Sequence, residues 1–144
     1  MIYVDTSMLV PLFVNEPLSS AVGDWYARET ETLVTTAWCV TEFASALGIK
    51  QRTGALDAHL AQGAWNRFER LVAADLQLLP VLPAHFQRAA ALVLDPTHGL
   101  RAGDALHLAC AEAAGAQHLA TLDDVLARNA RRLQIKLVAI SGRT

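Results

Sequence analysis

The feature that most constrains this chain is a series of short apolar runs separated by segments of helical length and spacing. Ile2 to Val4 is apolar without alternation and stops at Asp5, which predicts a strand covered on both sides. Leu33 to Thr36 is rich in β-branched residues and reads as a second strand. Leu76 to Val81, His118 to Leu122 and Leu137 to Ile140 read as the third, fourth and fifth. Between the first two, Pro17, Ser19 and Ser20 supply a turn and the start of a helix running to about Glu31. From Ala37 the pattern is helical, with Phe43, Ala44, Leu47 and Gly48 on one side, and it stops near Thr53-Gly54. Asp57 suits the N-cap of a helix carrying Leu60, Ala64, Phe68, Leu71 and Val72. Pro83 opens another helix that ends before Asp95-Pro96. An alanine-rich helix begins around Gly103-Asp104 and reaches Ala114-Gly115, and a short one covers Asp123 to Arg132. Strands separated by helices predict an α/β fold, a parallel five-stranded sheet flanked by helices on both faces. With no repeat, low-complexity tract or long linker, residues 1–144 are expected to form a single domain.

Composition narrows the function classes. At 53% hydrophobic and 18% charged, the chain can fill a core, which excludes a disordered segment. No apolar run reaches the ~18 residues that a membrane helix needs. The start Met1-Ile2-Tyr3-Val4-Asp5 has no signal-peptide pattern, so no membrane association and a cytoplasmic location are expected. Cys39 and Cys110 lie in apolar helical contexts and read as buried free thiols. A net charge of −2 argues against a protein that coats nucleic acid by overall charge. An enzyme with carboxylates in one pocket and arginines around it remains open. The basic clusters Arg128, Arg131, Arg132, Lys136 and Lys50, Arg52 read most simply as solvated helix faces.

The chemistry lies in the acids. Sheets of this type bind ligands beyond the carboxyl ends of their strands, where the strand order reverses. Asp5 directly follows the first strand and Asp123 the fourth. Glu42 lies one to two turns into the helix after the second strand, and Asp104 near the start of the helix that leads to the fourth. Each has a plainer role open to it: Asp5 and Asp123 as helix caps, Asp104 as a first-turn charge, Glu42 as a surface residue. Together they could form one acidic pocket, which needs a cation because close carboxylates repel. Mg²⁺ or Mn²⁺ suits oxygen ligands, and phosphodiester hydrolysis is the matching reaction.

Tyr3-Val4-Asp5-Thr6-Ser7, Thr41-Glu42-Phe43, Arg101-Ala102-Gly103-Asp104-Ala105-Leu106-His107-Leu108-Ala109 and Thr121-Leu122-Asp123 occur in that order. In these segments the chain resembles the PIN-domain family over its whole length, and more closely the VapC-type toxin ribonucleases. The resemblance implies a metal-dependent endoribonuclease, the toxic component of a toxin–antitoxin pair, using Mg²⁺ or Mn²⁺, acting on RNA, silenced by a cognate antitoxin and often a homodimer. It implies Asp5 and Asp104 as direct ligands, Asp123 as completing the metal site directly or through water, and Glu42 as a catalytic acid working mostly through water. Ser7 and Thr121 would support the ligands, and Arg101 would contact substrate phosphate or, the favoured role, pair with an acid. The Thr-x-Asp register favours Asp123 over its neighbour Asp124.

His107 is close to Asp104 on the same helix and is expected to be a core or supporting histidine, not a ligand. Trp25, Trp38 and Trp65 are not spaced for base stacking and read as core or interface. Trp25, Trp38 and Phe43 also suggest a groove for an antitoxin segment between the helices before and after strand two. Two other functions are open: another Mg-dependent α/β phosphate hydrolase, and a catalytically degenerate RNA- or protein-binding domain. A haloacid-dehalogenase-type phosphatase would place an acid at position 7, where this chain has Ser7.

Overall fold

The computed structural model describes residues 1–142. Strands β1 (Ile2–Val4), β2 (Leu33–Thr36), β3 (Leu76–Leu79), β4 (His118–Ala120) and β5 (Lys136–Leu137) form one sheet in the order β3-β2-β1-β4-β5. Every adjacent pair is parallel, with Tyr3 opposite Val34 on one side and Leu119 on the other. β1 is central and the chain order reverses there, so the switch point lies between the carboxyl ends of β1 and β4.

The helices are α1 (Thr6–Phe13), α2 (Ser19–Arg28), α3 (Ala37–Arg52), α4 (Ala58–Ala74), α5 (Pro83–Val93), α6 (Ala102–Ala113) and α7 (Asp124–Arg132). They cover both faces of the sheet, as β1 shows directly. Ile2 and Val4 pack into a core with Phe43, Leu47 and Phe68 of α3 and α4. Tyr3 points the other way, into a core with Leu106 and Ala109 of α6 and Leu126 of α7. A strand buried on both faces has no wet side, which explains its unbroken apolar run.

Several ends differ from the sequence expectation, each for a local reason. β3 stops at Leu79 rather than Val81, because Pro80 has no N–H for the ladder. α2 stops at Arg28 rather than Glu31, where the Glu29 carboxylate accepts from the N–H groups of Thr30 and Glu31. β4 stops at Ala120 rather than Leu122. The Leu122 N–H donates to the Ser7 hydroxyl and the Asp123 N–H to the Thr121 hydroxyl, which turns the chain out of the sheet. β5 covers Lys136–Leu137 rather than Leu137–Ile140. Val138 adds one more bond to Leu119, and Val138 to Ile140 then line a cavity with Arg128 and Arg131 of α7. For α1 the sequence pattern predicts only a short helix that Asp5 could cap, without bounds, and Asp5 is its N-cap. Met8, Leu9 and Val10 are all buried, so no polar face marks its period, and Pro11 lies within it. α6 ends as expected, with Gly115 left-handed at φ 67° and the Ala116 N–H returning to Ala111.

Cys39 and Cys110 are free and buried. Burial pushes the Cys39 thiol up to about 12 and the Cys110 thiol up to about 11, so neither is a ready nucleophile. No described helix is long and apolar enough to cross a membrane.

Candidate metal centre

The ends of β1 and β4 are joined by side chains before any ligand is considered. Asp5 caps α1, with its Oδ2 accepting from the Ser7 N–H at 3.3 Å and the Ser7 hydroxyl at 2.5 Å. The Thr121 hydroxyl donates to the same oxygen at 2.9 Å. Three donors on Oδ2 fix the rotamer and leave Oδ1 as the available oxygen. The two hydroxyls lie 3.3 Å apart, but each directs its proton to Asp5.

Glu42 enters from the first turns of α3. Its Oε1 accepts from the Thr6 hydroxyl at 2.7 Å and from His107 Nε2. His107 Nε2 also lies 3.5 Å from Asp5 Oδ1. Asp5, Glu42 and His107 each present one donor atom, and these atoms all lie within 4.8 Å of one another. Burial raises the Glu42 pKa, but the bonds from His107 and Thr6 outweigh it, and the carboxyl ends below its usual range. For His107, burial favours the neutral ring. Hydrogen bonding to Glu42 and the charges of Asp5, Glu42 and Asp104 prevail, and the imidazole pKa is raised.

Asp104 lies in the first turn of α6, and Asp123 is the N-cap of α7, accepting from the Leu126 N–H at 2.8 Å. Arg101 reaches both, with Nε 3.5 Å from Asp104 Oδ2 and a terminal nitrogen 4.0 Å from Asp123 Oδ2. The Asp104 pKa is raised, first by burial and then by the charges of Asp123 and Asp5, with Arg101 opposing. Asp124 lines the separate cavity with Arg128 and Arg131. Asp123 is therefore the acid of that pair on the Arg101 side.

All four acids named from the sequence thus border the carboxyl edge at the switch point. Asp5 and Glu42 meet at His107, while Arg101 links Asp104 and Asp123 in the structure. The donor set fits a hard divalent cation: carboxylate oxygens in a half-buried site, where burial and then the neighbouring acids raise the Asp104 pKa. Sequence reasoning understated His107. Its partners Tyr3 and Glu42 are 104 and 65 residues away, so only its helical position near Asp104 hinted at a role.

The docking groove expected from Trp25, Trp38 and Phe43 needs correction. Phe43 is wholly buried, stacked on Phe68 with ring centroids 4.0 Å apart, and Trp25 is also in the core. Trp38, half-buried, instead lines a groove with Phe86, Val93 and Leu106 between α5 and α6.

A parallel sheet covered on both faces, with acids bordering its switch point, places a candidate cation site at the carboxyl edge of the strands. The PIN domain family model matches residues 2–132, and the chain belongs to that family. Its structure is similar to VapC20 of Mycobacterium tuberculosis, described as a Sarcin-Ricin loop cleaving toxin. The TM-score is 0.73 at 18% identity, covering 90% of this chain and 95% of that one. It is also similar to FitAcB of Neisseria gonorrhoeae, with TM-score 0.70 at 19% identity over 96% of this chain and 97% of the other. VapBC2 of Rickettsia felis, bound to a DNA fragment from its promoter, gives 0.66 at 16% identity over 98% and 100%. No curated protein matches the chain.

Proposed function

We propose that residues 1–144 form a single PIN domain that is a Mg²⁺- or Mn²⁺-dependent endoribonuclease and the VapC-type toxin of a toxin–antitoxin pair. The observation that carries this reading is the placement of Asp5 and Glu42, joined at His107, and of Asp104 and Asp123, joined by Arg101, along one sheet edge, near enough that the charges of Asp123 and Asp5 add to burial in raising the Asp104 pKa. Asp5, Asp104 and Asp123 would hold the ion, and Glu42 would act through water. When bound, the ion would polarise the scissile phosphate and lower the pKa of an attacking water. Ser7 and Thr121 fix the Asp5 carboxylate so that Oδ1 is presented to the pocket. Glu42, its Oε1 held by two donors, directs Oε2 to orient the water or receive its proton. Arg101 at the rim, 83% exposed, meets substrate phosphate.

The partners in this reading are an RNA substrate, a cognate antitoxin and a second copy of the chain as a homodimer, all in the cytoplasm. The likeness to VapC20, described as a toxin, supports the toxin half of this reading, from which the antitoxin follows. The apolar groove lined by Trp38, Phe86 and Val93 beside Gly103 offers a surface for it close to the acids.

The test is incubation of the purified protein with a mixed RNA pool, with and without Mg²⁺ or Mn²⁺, beside Asp5→Asn and Asp104→Asn. Metal-dependent cleavage that both folded variants lose is the expected result. Cleavage that persists in chelator or in both variants would sink the reading.

A further inference from the structure

We propose that His107 is the positioning residue of this centre: its Nε2–H holds Glu42 beside Asp5, and Tyr3 behind it fixes the ring. The proposal rests on the metal-dependent reading of the same acids and assigns a role to a residue outside the acid set.

His107 is wholly buried on α6, one turn after Asp104, with Nε2 between Glu42 Oε1 and Asp5 Oδ1. A ring nitrogen facing two carboxylates must carry a proton. A nitrogen with its proton committed to Glu42 has no lone pair for a metal. At the rear, Nδ1 lies 2.9 Å from the Tyr3 hydroxyl, which lies 3.3 Å from the Thr36 hydroxyl. Tyr3 is also fully buried and meets the imidazole edge-on, with centroids 5.7 Å apart. The Tyr3 hydroxyl can donate to a neutral ring or accept from a charged one, so the orientation holds in both states.

This arrangement separates the roles of two acids that would otherwise compete. Thr6 and His107 together occupy Oε1 of Glu42, which draws that carboxylate back against α6. Asp5 has Oδ2 occupied by Ser7 and Thr121, while its Oδ1, 3.5 Å from His107 Nε2 and outside hydrogen-bond geometry, is the oxygen left for the ion. Removing the imidazole would leave two carboxylates facing each other with no donor between them.

The experiment titrates the full chain with Mn²⁺ and follows free Mn²⁺ by electron paramagnetic resonance, for wild type, Asp5→Asn, His107→Leu, His107→Gln and Tyr3→Phe. Far-UV circular dichroism and melting check each fold. The expected result is saturable wild-type binding lost in Asp5→Asn and weakened about 10- to 100-fold in His107→Leu. His107→Gln, whose amide N–H can reach Glu42, recovers most of it, and Tyr3→Phe falls between. Spin-echo spectra of bound Mn²⁺ should show no ¹⁴N coupling from the ring.

No saturable wild-type binding would overturn the metal reading and this proposal with it. Normal wild-type binding that folded His107→Leu leaves within about twofold would overturn the proposal alone, as would a ¹⁴N coupling that His107→Gln abolishes. If His107→Leu does not fold, Tyr3→Phe decides, and unchanged affinity there overturns the proposal.

Discussion

The Thr121 hydroxyl lies 2.9 Å from Asp5 Oδ2 although 116 residues separate the two. This bond ties the end of β4 to the end of β1. The same hydroxyl accepts from the Asp123 N–H, so one threonine positions two acids. Thr121→Val keeps the shape and removes both bonds at a site that is 2% exposed. A hydrogen bond to a charged group contributes about 1.5–3 kcal/mol. The expected result is a melting temperature lower by several degrees and Mn²⁺ affinity reduced roughly tenfold. Unchanged affinity in a folded variant would mean that Ser7 alone fixes Asp5.

Gly103 separates stability from function. A Cβ there would lie 3.2 Å from Glu42 Oε2 and 3.4 Å from Trp38 Nε1. Alanine is a better helix former by up to about 1 kcal/mol, and the carboxylate it meets can swing aside. Gly103→Ala should therefore melt at the same temperature or higher while cleavage falls, because Glu42 is displaced from its place over α6. Parallel melting and RNA-cleavage assays check this. Full activity would show that Glu42 has room to spare.

Asp104 gives the metal-free protein a pH dependence of definite sign. Its folded pKa is raised, chiefly by burial, so between the unfolded and folded values the folded chain binds more protons. Stability from this group is therefore present below the ordinary carboxylate range and lost as pH rises through the raised value. Glu42 and His107 also shift, so the contribution is read as a difference between proteins. In chelator, Asp104→Asn should be more stable than wild type at neutral pH, and the gap should close on acidification. Saturating Mn²⁺ should close it at neutral pH too, by stabilising the wild type. Urea unfolding across pH gives the comparison, and a gap independent of pH would refute the assignment.

The residues that were legible in the sequence announce themselves locally. Asp5 and Asp123 follow strands, and Asp104 opens a helix with an obvious alanine-rich pattern. What was not legible depends on partners far along the chain. Tyr3 reads as one more apolar strand residue until β1 is seen to face α6, where it meets His107. The end of β4 is set by Ser7 and Thr121 hydroxyls taking backbone bonds, which no hydrophobic period records. The bounds of α1 are hidden because most of its residues are buried and no polar face marks its period. Phe43 carries a helical signal in the sequence but not its depth, which comes from Phe13 and Phe68 packing on it from distant helices.

That core makes Phe43 a stability residue. Its ring stacks on Phe68 at an interplanar angle of 8° and meets Phe13 edge-on at 5.7 Å, joining α1, α3 and α4. Phe43→Ala should cost about 3–5 kcal/mol, as buried phenylalanines do. Because Glu42 precedes it, loss of this anchor should also loosen the acid. Urea unfolding measures the cost, and a loss under about 1 kcal/mol would show that the aromatic cluster repacks.

Arg101 should behave in the opposite way. It is 83% exposed, and its contacts of 3.5 Å to Asp104 and 4.0 Å to Asp123 are of the solvent-screened kind. Arg101→Ala should change stability by no more than about 1 kcal/mol. Removing a cation that competes for the same carboxylates should tighten Mn²⁺ binding slightly. RNA binding should weaken, and the slope of log affinity against log salt should fall by about one phosphate contact. Fluorescence anisotropy with a single-stranded RNA in chelator, over a range of salt, separates this from catalysis. An unchanged slope with tighter Mn²⁺ binding would confine Arg101 to neutralising the empty acid pocket and move phosphate recognition to other side chains.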